Sequence, residues 1–220
     1  MLIGVVNQKG GVGKSTLVVH LAVWLHEQGV KVALVDADSQ SSSTEWLREA
    51  QPEIDCYQWQ GAAEIFDGVE ELQEKYDAVV FDGPAGLNDA TKAIMVLANG
   101  ILVPCGPSIL DLRALEEALI VVREVQDTRP ERLPVVRLIP NKLQKRYRLS
   151  QELVYVIKDA DVAGSTGLSL LSAYADAAGQ GTVVWRMGSR AEKAAREMKK
   201  LFEEILSDSS TLEQQTEEKK

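Results

Sequence analysis

One short run, Gln8-Lys9-Gly10-Gly11-Val12-Gly13-Lys14-Ser15-Thr16, gathers glycines, two lysines and two hydroxyls. Such a run lets the backbone wrap closely around phosphates with its N–H groups turned inward. Gly10, Gly11, Val12 and Gly13 would form the cradle, Lys14 would reach the terminal phosphates, and Ser15 would offer a hydroxyl to Mg²⁺, with Thr16 beside it. Asp36 and Asp38 close a second apolar run. Residues two apart in a strand face the same side, so both carboxylates can stand before the loop, where they could hold Mg²⁺-bound water and orient an attacking water. Asp82 ends a third apolar run, where a carboxylate orients water on Mg²⁺. The metal set read from the sequence is therefore Ser15, Asp36 and Asp82. Gly83, Pro84 and Gly86 follow, a loop composition that could change path with a terminal phosphate.

These groups need a scaffold that delivers loops to one edge. Leu2–Val6, Lys31–Val35, Ala78–Phe81, Ile101–Val103 and Val135–Ile139 are short and apolar without polar alternation, as befits parallel strands buried on both faces. Further strands are expected near Ile54–Tyr57 and Leu168–Leu171. Helical patterns fall between them at Ser15–Gln28, Ala62–Lys75, Asp89–Ala98, Leu110–Asp127, Ser150–Asp159 and Arg190–Leu206. Gly29 suits a helix C-terminus, and Ser189 with Glu192 suits a capping box for the last helix. The alternation predicts an α/β fold: a doubly wound, mostly parallel sheet with helices on both faces and ligands at the carboxyl ends of the strands. Residues 1–206 read as one domain, and 207–220 as a polar tail that frays or extends the last helix.

Composition narrows the classes. The 220 residues are 45% hydrophobic and 26% charged, ordinary for a globular domain. No run of 18 apolar residues is present, so a membrane span is not expected. Cys56 and Cys105 lie far apart without CxxC spacing, which points to a cytoplasmic protein without a disulfide framework or zinc site. A net charge of −9 argues against a wholly basic nucleic-acid coat but allows a local basic face. Lys142, Lys145, Arg146 and Arg148 cluster in one segment. Between 186 and 200, six basic residues meet two acidic ones, a net of +4. Arg190, Lys193 and Arg196 are spaced to share a helix face. Charge alone leaves two readings open, a DNA-binding face or a solvated helix with internal ion pairs.

Asn7-Gln8-Lys9-Gly10-Gly11-Val12-Gly13-Lys14-Ser15 departs from the ordinary G-x-x-x-x-G-K-[ST] pattern at Gln8 and adds Lys9. It resembles the deviant Walker A box of the ParA family of partition and positioning ATPases. Asp36-Ala37-Asp38-Ser39-Gln40 resembles that family's second box, with Ser39 where proline is usual. Val103-Pro104-Cys105-Gly106-Pro107-Ser108 resembles its V-P-x-x-P-S segment. The resemblance implies ATP and Mg²⁺ as ligands, Lys14 and Asp38 in hydrolysis, and Asn141 on the adenine. It implies a homodimer sandwiching two ATP molecules, with Lys9 of each subunit reaching its partner's phosphates. It further implies non-specific DNA binding by the C-terminal region, for which the candidates are Lys145, Arg146, Arg186, Arg190, Lys193 and Arg196. The protein would then be nucleoid-associated. An adaptor of the ParB or McdB kind would stimulate hydrolysis, and the cargo would be a plasmid, a chromosome region or an organelle such as a carboxysome. The sequence opens on the phosphate-loop strand, so no operator-binding helix-turn-helix is expected. Three competing readings are a MinD-like membrane-cycling ATPase, a ligase of the dethiobiotin synthetase type, and an ATP-binding scaffold without turnover. The tail lacks the apolar helix face that the first requires.

Overall fold

A computed structural model describes residues 1–129, 133–160 and 162–217, with side chains through 206. Seven parallel strands form one sheet: β1 (Leu2–Asn7), β2 (Val32–Asp36), β3 (Asp55–Gln58), β4 (Ala78–Ala85), β5 (Gly100–Cys105), β6 (Val135–Pro140) and β7 (Ala163–Gly164). Their order is β3-β2-β4-β1-β5-β6-β7. The helices are α1 (Lys14–Glu27), α2 (Ser42–Ala50), α3 (Ala62–Lys75), α4 (Asp89–Leu97), α5 (Ile109–Thr128), α6 (Arg148–Lys158), α7 (Ser172–Gly179) and α8 (Glu192–Glu217).

Strand residues alternate between two cores, as a period of two requires. Ile3, Val5, Leu34, Val80 and Leu102 pack with α1, α2, α7 and α8 on one face. Leu2, Val6, Val35, Phe81 and Val103 pack with α3 to α6 on the other. Both faces are covered, which is why the strands read as unbroken apolar runs. Gly4 is fixed by this packing: a Cβ there would meet Ile94 at 2.5 Å and Ile101 at 2.7 Å, so α4 could not lie as close. The chain steps to opposite sides of β1 through β4 and β5, and the crevice at that switch point opens at the strands' carboxyl ends.

The doubly wound architecture expected from the sequence is present, with several local differences. Leu168–Leu171 is not a strand; only Ser169 bridges Leu143, and the last strand is the two-residue β7. Two helices, α2 and α7, are not expected from the sequence. The Ser189–Glu192 capping box does not form, because Gly188–Ala191 is a single 3₁₀ turn and α8 starts at Glu192. Arg190 therefore precedes the helix and does not share its face with Lys193 and Arg196. The tail takes the second course expected of it, as α8 runs on to Glu217. Gly29, at φ 84°, ends α1 as expected.

Candidate functional site

The phosphate loop joins β1 to α1. Gly11 and Gly13 have φ of 73° and 101°, a region that favours glycine. A Cβ on Gly13 would also meet the Asn141 amide nitrogen at 2.4 Å. The loop is braced from both ends. The Asn7 side chain accepts the Lys9 N–H at 2.8 Å and donates to the Pro104 carbonyl at 2.8 Å, tying β1 to β5. Asn141, buried at the end of β6, donates to the Val12 carbonyl at 2.6 Å and accepts the Lys142 N–H at 2.8 Å. Lys142 Nζ donates to the Gly11 carbonyl at 2.5 Å. Asn141 thus has a loop-bracing position, and any base contact must use the amide's remaining donor or lone pair. Gly86 N–H donates to the Gln8 carbonyl at 2.8 Å, so the segment after Asp82 is hydrogen-bonded to the phosphate loop.

A cavity of about 460 Å³ lies over this loop. Gly10, Gly11, Gly13, Lys14, Ser15 and Thr16 line it, with Asp38 and Asn141. Leu168–Leu171, Tyr174, Ala175 and Ala178 complete the wall. Lys14 is buried, and burial lowers its pKa, opposed by the nearby charges of Asp82 and Asp38. Its Nζ lies 3.4 Å from the Lys9 carbonyl. Val12 is buried beneath the loop, where its carbonyl meets Asn141.

The three aspartates have different surroundings. Asp36 is fully buried and well occupied: it accepts from Ser43 Oγ at 2.8 Å, Thr44 N at 3.0 Å and Asp38 N at 3.1 Å. It therefore anchors the N-terminus of α2 and shapes the loop carrying Asp38. Asp38 is half-buried on the cavity wall and accepts the Gln40 N–H at 3.0 Å. Asp82 is buried, and neither of its oxygens has a hydrogen-bond partner. Burial raises its pKa to about 7, and the charge of Asp36 adds to the rise, while nearby Ser15, Ser43 and Lys14 temper it. An orphaned buried carboxylate calls for a cation or its water. Mg²⁺ is commonly held by one or two protein oxygens plus phosphates and waters. Ser15 and Asp82 fit that donor set. Among the described residues, no group of three or more His, Cys, Asp or Glu converges to cage a metal.

Lys9 is not turned into its own loop. Its Nζ pairs with Asp111 at 2.9 Å and lies 3.2 Å from Ser108 Oγ. Ser108 caps α5 through the Asp111 N–H. Asp111 follows the Val103–Ser108 segment, and its pairing with Lys9 was not visible in the sequence.

The basic candidates separate. Lys145 and Arg146 are exposed in the turn before α6, and Lys193 and Arg196 are exposed on α8. Arg190 donates to Gln180. Arg186 is engaged within the fold: its three guanidinium nitrogens reach Glu27, Gln51 and the Ala50 carbonyl, at 2.6 to 3.1 Å. Cys105 is a buried thiol, its pKa pushed up to about 12 by burial. Asp77 is exposed ahead of β4, where its carboxylate accepts the Lys31 N–H at 3.0 Å.

His20 lies outside every motif that the sequence displays. It is fully buried on α1, with Nδ1 2.7 Å from the Thr16 carbonyl and Nε2 accepting the Val184 N–H at 3.2 Å. Trp46, Tyr174 and Trp185 surround it edge-on. Only its place on an apolar helix face could have drawn attention to it.

The chain is 29% identical over 209 residues to the maintenance of carboxysome distribution protein A of Halothiobacillus neapolitanus, covering 93% of this chain and 95% of that protein. It is 26% identical over 181 residues to the chromosome-partitioning ATPase Soj of Thermus thermophilus, covering 69% and 73%. Among solved structures, Cyanothece apo McdA superposes with a TM-score of 0.75 at 17% identity, over 93% of this chain and 98% of the other. Residues 3–184 match the CobQ/CobB/MinD/ParA nucleotide binding domain, and the chain belongs to that family.

Proposed function

We propose that this protein is a Mg²⁺-dependent ATPase that positions cargo by cycling between an ATP-bound dimer on DNA and a free form. The observation that carries this reading is Lys9. The loop already has Lys14 for its own phosphates, and Lys9 lies at its mouth, held by Asp111 and Ser108. A second lysine so placed suits the phosphates of a facing subunit, where it would act as an arginine finger does.

The residues divide the work. The backbone N–H groups of Gly10 to Thr16 and the buried Lys14 would bind and orient the triphosphate. Ser15 and Asp82 would hold Mg²⁺, which would neutralise charge between the β- and γ-phosphates. Asp38 would orient the attacking water, on a loop shaped by Asp36. Gly83 allows β4 to press on β1, since a Cβ would lie 2.9 Å from the Val5 carbonyl. The register shift beside it marks where the strand leaves regular pairing, next to the Gly86 contact with the phosphate loop.

In the dimer, two copies of the exposed basic segments would act together. Lys145, Arg146, Arg190, Lys193 and Arg196 would contact phosphates without reading sequence, so affinity would fall steeply with salt, with a log–log slope of about −0.9 per neutralised phosphate. Arg186 would serve mainly by holding its segment against α1 and α2. Dimerisation would couple DNA affinity to nucleotide state through avidity, and a nucleoid location follows. An adaptor of the ParB or McdB kind would trigger hydrolysis and release. No helix among the described residues is long and apolar enough to cross a membrane.

The ligase reading has less support, because the relatives matched over most of the chain are partition and positioning proteins. For cargo, a second reading is favoured by one observation. The carboxysome-distribution relative aligns over nearly the whole of both chains, so a protein organelle is as well supported as a plasmid. Sedimentation with ATP, ADP or no nucleotide tests the core of the proposal: ATP alone should give a dimer that retains DNA. A monomer in all three states would refute it.

A further inference from the structure

The loop fixes where phosphates lie in the nucleotide cavity, so the nucleoside must meet the rest of its lining. That lining includes the 168–171 segment with Tyr174, Ala175 and Ala178 of α7. On one side the backbone after β6 holds this wall: Leu168 N–H donates to the Pro140 carbonyl at 2.8 Å, Leu143 N–H to the Leu168 carbonyl at 3.0 Å and Leu170 N–H to the Leu143 carbonyl at 2.8 Å. A second, side-chain hold comes from α8. Glu197 accepts the Ser169 N–H at 2.9 Å on one oxygen and the Ser169 hydroxyl at 2.8 Å on the other. Seven residues on, Glu204 repeats the arrangement, accepting the Thr166 N–H at 2.6 Å and its hydroxyl. Each carboxylate thus grips both donors of a single residue, and hydrogen bonds to a charged acceptor are the stronger kind. Tyr174 reaches the same helix, its hydroxyl 3.4 Å from the Ala194 carbonyl. Lys193 and Lys200 stand one turn before the two glutamates, 3.6 and 3.7 Å from them.

We propose that Glu197 and Glu204 are positioning residues for the nucleoside: the C-terminal helix, through this repeated two-pronged grip, sets the wall that receives the base and ribose. The inference rests on the ATP-binding reading but not on dimerisation, DNA binding or hydrolysis. A role confined to stability would leave ligand selectivity unchanged. A positioning role makes a different prediction, because loosening the wall should affect only ligands that touch it.

The test is equilibrium binding of ATP, GTP and inorganic tripolyphosphate to the full chain carrying Glu197→Ala, Glu204→Ala, Glu197→Gln, Ser169→Ala or Thr166→Val, with Lys14→Ala as a control for the loop. Glu197→Ala should weaken ATP about tenfold and narrow the ATP-over-GTP preference. Tripolyphosphate, which needs only the loop, should bind as it does to the unaltered chain. Glu197→Gln keeps an acceptor oxygen and should recover part of the loss. If the alanine variants at the glutamates fail to fold, Ser169→Ala and Thr166→Val remove one prong from the other side and should show the same selective loss in smaller measure. Unchanged ATP affinity and selectivity in folded variants would overturn the proposal, as would equal losses for ATP and tripolyphosphate. Failure of the unaltered chain to bind ATP would instead overturn the ATP reading on which it rests.

Discussion

His20 should make the protein acid-sensitive in a defined window. The imidazole is fully buried, and burial lowers its pKa to about 4, only partly opposed by its bond to the Thr16 carbonyl. In the unfolded chain a histidine titrates near 6.5. Below about pH 6.5 the unfolded chain therefore takes up a proton that the folded chain refuses, so stability falls as pH drops from 6.5 to 4 and levels off below. The shift of about 2.5 units corresponds to about 3 kcal/mol at the acid limit, of which about 2.5 kcal/mol is lost by pH 4.5. His20→Gln has no such proton. It should be less stable than the parent at pH 7.5, because its amide replaces the paired bonds to Thr16 and Val184 imperfectly. That gap should shrink by about 2.5 kcal/mol on going to pH 4.5. Urea unfolding of both proteins across this range isolates the effect, since the carboxylates common to both cancel. The sequence has only two histidines, so imidazole NMR with a His26→Asn variant reads His20 directly. Parallel stability curves for the two proteins, or a His20 titration near 6.5, would mean that burial does not keep the proton off His20.

Other consequences follow from the remaining charged groups. Asp82 has a raised pKa, so in metal-free buffer its contribution falls as pH rises from about 4 to about 7. Asp82→Asn should then be more stable than the parent at pH 8, by up to about 4 kcal/mol, while losing Mg²⁺-dependent turnover; equal melting temperatures at pH 8 would contradict this. Asp111→Asn should free Lys9 and tighten the ATP-dependent dimer about two- to fivefold, a modest figure because Lys9 is partly exposed; sedimentation in ATP would read it. Asp38→Ala should bind ATP and accumulate as a dimer with little phosphate release, and wild-type turnover would remove Asp38 from its role.

The sheet was legible because burial on both faces leaves unbroken apolar runs, and those runs end at the chemistry-bearing residues. Leu2–Val6 leads into the loop, and Ala78–Phe81 leads to Asp82. Local spacing carried less where tertiary bonds decide. Leu168–Leu171 has a strand's composition, but the Ser169 N–H goes to Glu197 of a distant helix. α2 was hidden by its Ser39–Ser43 run, although Ser43, Trp46, Leu47 and Ala50 lie at helical spacing and are buried. The Lys9–Asp111 and Arg186–Glu27 pairs span roughly a hundred residues or more, and no single-sequence pattern reports such partners. Asp36 and Asp82 looked alike as strand-end acids. Only the fold separates the first, which is fully hydrogen-bonded, from the second, which is left with bare oxygens.

If Lys9 acts on the partner's nucleotide, two variants that are inactive alone should complement one another when mixed. Lys9→Ala and Asp38→Ala should each lack adaptor-stimulated ATP hydrolysis alone. Combined before ATP is added, they should form heterodimers in which one site has both its own Asp38 and a lysine from across the interface. Hydrolysis should return to roughly a quarter of the parent rate at equal mixing, since half the dimers are mixed and each has one complete site. No recovery in a mixture shown to form heterodimers, or full activity of Lys9→Ala alone, would mean that Lys9 does not act across the interface.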